Sequence, residues 1–184
     1  SWILQPTDYR LLLLETLPVP EAELLEALRW RIKDMINFPV NEAVIDVYPV
    51  PRSDGKTLPN MLSVVVAHFP QLTATAQLIR EAGFDLSIID IPELALRNIN
   101  RLFSEDARGL GILLLNPERS ELVITREQTV YLSRHIDLNF ADLLTGEEHA
   151  ETADSASPES IQTRLEKLAL EIQRSFDYYQ SQLH

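Results

Sequence analysis

The run at residues 110–137, LGILLLNPERSELVITREQTVYLSRHID, constrains the fold more than any other part of the chain. Three short stretches rich in aliphatic and β-branched residues (112–115, 122–125 and 130–136) are separated by two polar turns, Asn116-Pro117 and Glu127-Gln128. This pattern predicts three consecutive strands. In an α/β nucleotide-binding domain the first turn would carry glycines that bring backbone N–H groups against a phosphate. Here it reads Asn-Pro-Glu-Arg-Ser-Glu. Pro117 has no N–H to offer, and Glu118 and Glu121 repel a phosphate chain. The scaffold suggests a phosphate binder, and the loop argues against one.

The rest of the chain supplies layers for those strands. Residues 9–15 form a leucine-rich strand candidate, ended by Pro18 and Pro20. Pro20 suits the first position of a helix that runs to about Met35, with Leu24, Leu28, Ile32 and Met35 or Ile36 on one stripe. Residues 42–49 alternate as a strand, with Val44, Asp46 and Tyr48 on one face and Ile45 and Val47 on the other. The turn signal Ser53-Asp54-Gly55-Lys56 joins them to a strand at 61–68 as an antiparallel hairpin. A helix at 70–82 turns Leu72, Ala76 and Ile79 inward and is closed by Gly83. A strand at 86–90 and a helix at 92–103 through Leu96, Ile99 and Phe103 complete a strand-helix-strand-helix order, the βαβ pattern of a layered sheet. Residues 139–144 suggest a short helix and 146–157 an acidic loop. A final helix from Pro158 to about Leu183 buries Ile161, Leu165, Leu168, Ile172, Phe176 and Tyr179, with Glu166, Leu170 and Arg174 outward. Tyr178 and Tyr179, being adjacent, cannot both point inward.

Composition excludes several classes of function. The 184 residues carry a formal charge of −12, with no basic run to replace phosphate counterions, so sequence-independent nucleic-acid binding is not expected. Anionic membrane surfaces are equally poor partners. The absence of cysteine rules out disulfides and thiolate metal sites and fits a cytoplasmic protein. No apolar run approaches the roughly 20 residues needed to span a bilayer. The opening Ser1-Trp2 lacks a methionine, a signal pattern or a targeting segment, so the chain reads as a piece of a longer protein.

Catalytic and metal-binding chemistry finds little support. The four histidines stand singly, without a second histidine at ligand spacing, so no metal site is expected. His68, at a strand end, reads as a structural histidine. The pairs Glu105-Asp106 and Glu147-Glu148 sit in loops and read as solvated charge rather than as proton-transfer groups. Ser133-Arg134-His135 lies on a strand, where adjacent side chains face opposite ways. Trp30 is off the main stripe of its helix. It either caps the core, the favoured reading, or lines an exposed groove for a partner.

Four segments together resemble a known family: ELLEALRWRIKDMINFPVNEAVIDVYPVP (23–51), VVVAH (64–68), LIREAGFDLSIIDIPELALRNI (78–99) and EIQRSFDYYQSQL (171–183). Arg29-Trp30 with Asn37-Phe38-Pro39, Val44-Ile45-Asp46, and Arg174-Ser175 with Asp177-Tyr178-Tyr179 carry the likeness. It is to the PilM family of type IV pilus assembly proteins, over nearly the whole chain. The resemblance implies an α/β, actin-like fold of two lobes, here a fragment with mixed β-sheets flanked by helices. Residues 1–58 would belong to the small subdomain of the first lobe, 59–106 to its C-terminal part, and 107–184 to the start of the second lobe, with its strand triplet and long helix. Nucleotide-binding members carry Asp-x-Gly where this chain has Leu115, Asn116 and Pro117. This phosphate loop is therefore degenerate, and neither an ATP or magnesium cofactor nor ATPase activity is expected.

As implied by the resemblance, the leading function is a cytoplasmic scaffold, peripheral to the inner membrane. It would bind the cytoplasmic tail of a PilN-like membrane protein and help couple pilus assembly ATPases to the pilus platform. An extended tail adds naturally to an edge strand or a groove. The junction of residues 3–15 with the helix at 20–36 is the place to look, with Leu11, Leu13, Leu24, Leu28 and Trp30 as candidate contacts. The rival reading is an ATP-binding or ATP-hydrolysing protein. The third is a self-assembling module, in which two copies pair through open sheet edges as a homodimer.

Overall fold

The run Met61–His68 places apolar residues on both sides of the chain, as a strand covered on two faces requires. The computed structural model, which describes residues 1–50, 61–116, 120–138 and 161–183, uses it in that way. The chain divides into two compact units, Ser1–Ala95 and Leu96–His184.

In the first unit, β1 (Trp2–Ile3), β2 (Tyr9–Glu15), α1 (Glu21–Ile32), β3 (Ala43–Val50), β4 (Met61–His68), α2 (Phe69–Glu81) and β5 (Ile89–Asp90) follow in order. Strand β4 is the centre of a three-stranded sheet, β2–β4–β3, antiparallel on both sides. One face carries Leu14, Ala43, Leu62, Val64 and Val66, and against it pack Leu28 and Ile32 of α1 with the partly buried Leu24 and Ile36. Leu28 and Ile32 have no exposed surface, and burial of that extent contributes about 1.5–3 kcal/mol per side chain. The helix is further tied down by Arg29, whose Nη1 donates to the carbonyls of Val40 and Ala43, both at 2.9 Å. The opposite face carries Tyr9, Leu11, Val65 and Ala67, packed with Leu4, Leu72, Ile91 and Leu94.

Three expectations change here. Pro20 is not the first helical residue. It occupies the N-cap with extended backbone, and the helix begins at Glu21. The expected strand at 86–90 shrinks to two residues, and these pair in parallel with β1 instead of joining the sheet of β4. The strand-helix-strand order therefore links two sheets, because β2 and β3 already flank β4. Parallel and antiparallel pairings both occur, each in its own sheet among the described residues. The α2 terminus is as expected: Gly83, at φ +86°, donates to the Arg80 carbonyl at 2.9 Å, and Phe84 N–H reaches the Ile79 carbonyl at 3.1 Å.

The helix α3 (Pro92–Asn100) begins in the first unit and ends in the second. Leu96 is buried, but Ile99 and Phe103 are about half exposed, so the inward stripe expected through them stops short. Beyond α3, the second unit contains β6 (Leu110–Leu114), β7 (Ser120–Arg126), β8 (Thr129–Ile136) and α4 (Ile161–Tyr178). The strands form the expected antiparallel triplet in the order β6–β7–β8. Glu127 and Gln128 both have positive φ, 49° and 64°, as a two-residue hairpin turn demands. A bulge follows, since Ile124 pairs with Leu132 but Thr125 with Val130, leaving Tyr131 as the extra residue. Its ring meets Tyr179 edge-on, with centroids 5.6 Å apart. Leu168, Ile172, Phe176 and Tyr179 of the last helix pack on Leu122, Ile124, Ile136 and Leu138. Ile161 and Leu165, expected on that stripe, are exposed, whereas Glu166, Leu170 and Arg174 point outward as expected. Tyr179 is buried and Tyr178 is not. The sequence readings for the turn at 53–56, for Pro117 and for 139–158 lie outside the described residues.

Candidate partner-binding site

Strand β2 is an edge strand. All seven of its residues pair with β4 on one side, and among the described residues no strand pairs with the other. Its side chains alternate, so Leu12 and Leu14 face α1 while Tyr9 and Leu11 face the opposite side. Leu13 shares the face of Leu11 and is 47% exposed. This alternation divides the sequence-derived candidates. Leu11 and Leu13 lie on one side of the sheet, Leu24 and Leu28 on the other, and no single groove collects all five.

The members of the α1 group also differ among themselves. Leu28 is fully buried against Val64 and Val66 and presents nothing to a partner, because the stripe that made it a candidate is the stripe that anchors the helix. Leu24 is partly buried at the rim of the same core. Trp30 is 70% exposed, with the Lys33 ammonium 5.7 Å from its ring centroid, so the favoured core-capping reading is overturned. A Lys three residues on, one turn away, lies over the ring face in a cation–π contact.

The sequence reading missed a cleft of about 480 Å³ at the start of β2, with Asp8, Tyr9, Arg10, Phe38, His68 and Gln71 in its lining. Its walls are held by polar contacts. Gln71 Nε2 donates to Asp8 Oδ1 at 2.7 Å, His68 Nε2 lies 2.8 Å from Glu42 Oε2, and the His68 ring packs on Phe38 at 4.7 Å between centroids. His68 is thus the structural histidine expected from its position. The Pro6-Thr7-Asp8 turn carries no sequence signal of a cleft. That this turn meets Asn37-Phe38 and the end of β4 follows from the sheet order, which local sequence does not encode. Below the cleft, the buried Glu93 carboxylate accepts the Tyr9 hydroxyl at 2.7 and 2.9 Å, fixing the first residue of β2 from beneath.

Two features of the second unit bear on chemistry. The strand end that a nucleotide site would use places Leu115 half-buried and Asn116 exposed directly after β6. Asp106, read from sequence as solvated, is 4% exposed. It accepts from Thr125 Oγ1 at 2.5 Å and from Gln128 N–H at 2.7 Å, and Asn100 Nδ2 donates to the same Thr125 hydroxyl at 2.9 Å. The carboxylate braces the hairpin turn and is structural. Ser133 donates to Glu121 at 2.8 Å within the sheet, a contact that organises no nucleophile. Burial pushes the Tyr179 phenol above its usual range, with Arg126 opposing the shift. Among the described residues no three potential ligands gather as a metal site, and no helix is long and apolar enough to cross a membrane.

The chain matches no family model and no curated protein. Among solved structures it is similar to a chain of a PilM–PilN type IV pilus biogenesis complex, with a TM-score of 0.63 and 21% identity over 97% of this chain and 52% of that one. It is also similar to the cytoplasmic domain of EpsL, an inner membrane component of the type II secretion system of Vibrio cholerae, with a TM-score of 0.49 and 19% identity over 92% of this chain and 73% of that one. The first likeness defines the fold: a mixed α/β fragment of the actin-like, PilM-type architecture, as expected. The chain spans about half the length of that pilus-complex chain.

Proposed function

We propose that this chain is part of a cytoplasmic scaffold of type IV pilus biogenesis that binds the cytoplasmic tail of a PilN-like inner-membrane protein. Within that class we read the chain as MshI-like, from the MSHA (mannose-sensitive haemagglutinin) pilus, with MshJ as the partner and the pilus assembly ATPase as a further contact. The protein is then peripheral to the inner membrane through that partner. The observation that carries this reading is the open outer edge of β2, with Leu13 exposed on it and a cleft beside Tyr9 and Arg10 at its start. An extended tail adds there by main-chain hydrogen bonds, and alternate apolar side chains settle against Leu11 and Leu13. The likeness to a chain from a complex that contains PilN is consistent with such a task.

The role needs surfaces and no bound nucleotide, so the chain acts without ATP hydrolysis. The strand end at Leu115 and Asn116 supports this, since neither residue offers the aspartate or the glycine of a phosphate loop. Calorimetric titration of the 184-residue chain with a synthetic MshJ tail tests the proposal. Saturable heat is expected, weakened at least tenfold by Leu13→Asp. The absence of heat at high micromolar tail removes the partner reading and leaves the fold. A thermal shift of the longer parent protein with MgATP would instead revive the nucleotide reading.

A further inference from the structure

The second unit carries a cleft that tail binding at β2 does not use. We propose that this cleft, between β8 and α4, binds an acidic extended peptide that adds to the outer side of β8 and sets its carboxylates against Arg134, Lys167 and Arg174. The proposal stands independently of the reading given above.

The cleft has a volume of about 550 Å³. In a chain of formal charge −12, its lining holds three cations against two carboxylates, Asp137 and Glu171, and adds a histidine, His135. Local charge here therefore opposes that of the molecule. Glu171 serves both arginines at once: Arg174 Nη1 lies 2.8 Å from Oε1, and Arg134 Nη2 lies 3.3 Å from Oε2. Arg134 Nη1 also donates to Ser175 Oγ at 3.4 Å. A guanidinium has five N–H groups, so one shared carboxylate orients the two forks and leaves donors on each for a ligand.

Shape favours a peptide over a small anion. Lys167, Leu170, Glu171 and Arg174 recur at the spacing of one helix face, and the seven-residue span from Lys167 to Arg174 covers about 10 Å. A single phosphate cannot reach both ends. Side chains on one side of an extended strand recur every ~6.6 Å, so two or three acidic residues at alternate positions cover ~7–13 Å and bracket that span. The other wall supplies the backbone: β8 pairs with β7 on one side, and among the described residues no strand pairs with its other side. Leu170, 46% exposed between the charges, offers an apolar contact to the residue in between. Because the net field of the chain repels acidic ligands, affinity must come from short-range hydrogen bonds and not from steering.

The test is fluorescence anisotropy of a labelled, end-capped nonapeptide alternating aspartate and valine, titrated with the 184-residue chain. Saturable binding is expected, weakened at least tenfold by Arg134→Gln with Arg174→Gln, and weakened comparably when the peptide has asparagine for aspartate or N-methyl groups along one backbone edge. Lys167→Gln provides a second variant at the cleft if the double variant melts early. Unchanged binding in these variants, equal binding of the asparagine peptide, or full displacement by millimolar inorganic phosphate overturns the proposal. The same variants are expected to leave the MshJ tail titration at β2 unchanged, so failure of either reading is seen separately.

Discussion

Phe176 lies so close over Gly111 that a Cβ on that glycine would stand 2.7 Å from Phe176 Cζ. Gly111 is in β6 with ordinary strand backbone, so it is required for the approach of α4 to the sheet and not for an unusual φ. An added methyl must push the ring out of the core formed by Leu122, Ile124 and Leu168. Gly111→Ala is therefore expected to cost ~1–3 kcal/mol, the usual penalty for overpacking, seen as a lower midpoint in a thermal melt. Combining it with Phe176→Leu should recover part of the loss. If the double variant is no more stable than the sum of the single effects predicts, the contact is not the cause.

The hairpin turn supplies a stabilising change. Glu127 and Gln128 both occupy left-handed backbone, which glycine and asparagine adopt at lower cost. They are held there because Asp106 accepts the Gln128 N–H and the Asp106 carbonyl accepts that of Glu127 at 3.0 Å. Replacing the pair by Asn-Gly should raise stability by about 1 kcal/mol while leaving those bonds intact. Asp106→Ala should lower it by about 1–3 kcal/mol, since it strands the Thr125 hydroxyl and a turn N–H. Chemical denaturation of the two variants checks both signs, and a stabilising Asp106→Ala would show that the carboxylate is no brace.

Tyr179 gives the stability a dependence on high pH. Desolvation by burial raises its phenol above its usual range, and the nearby Arg126 guanidinium only partly offsets this. The folded pKa then exceeds the unfolded one, so the stabilisation is fully present below pH ~10 and is lost as pH rises through the folded value. Melting temperatures of the wild type and Tyr179→Phe, measured from neutral pH into this range, should show the steeper fall in the wild type. The comparison is needed because the chain has five tyrosines, and the difference isolates this one.

What was legible in the sequence followed from periodicity. The Leu24, Leu28 and Ile32 stripe, the three strands after Gly109, the glycine stop at Gly83 and the division of labour between Tyr178 and Tyr179 all depend on spacing within one element. What was not legible depends on distant partners. Strand β5 finds β1 across more than eighty residues, and two residues are too few to display a period. Asp106 resembles its neighbour Glu105 in sequence, and it is buried only because Thr125 and Gln128 fold over it. The candidate site suffered in the same way. The leucines of β2 were visible, but the cleft at its start exists only where three separate segments meet.

Leu28 and Trp30 separate folding from recognition on a single helix. Leu28 has no exposed surface and lies within the α1 core, so Leu28→Ala should cost about 2–5 kcal/mol through lost burial and the cavity left behind. Trp30 is 70% exposed, and apart from the Lys33 ammonium over its ring it has little to lose, so Trp30→Ala should change stability by no more than ~0.5 kcal/mol. A large aromatic ring left exposed two positions from a core anchor suits an interface residue. If the proposed tail at β2 extends around the sheet to α1, Trp30→Ala weakens its binding with an unchanged melt. If the tail stays on the Leu11 and Leu13 side, Trp30→Ala leaves affinity intact while Leu13→Asp abolishes it. Paired melts and titrations of the three variants decide between these paths, and a large stability loss from Trp30→Ala would contradict the exposed placement of the ring.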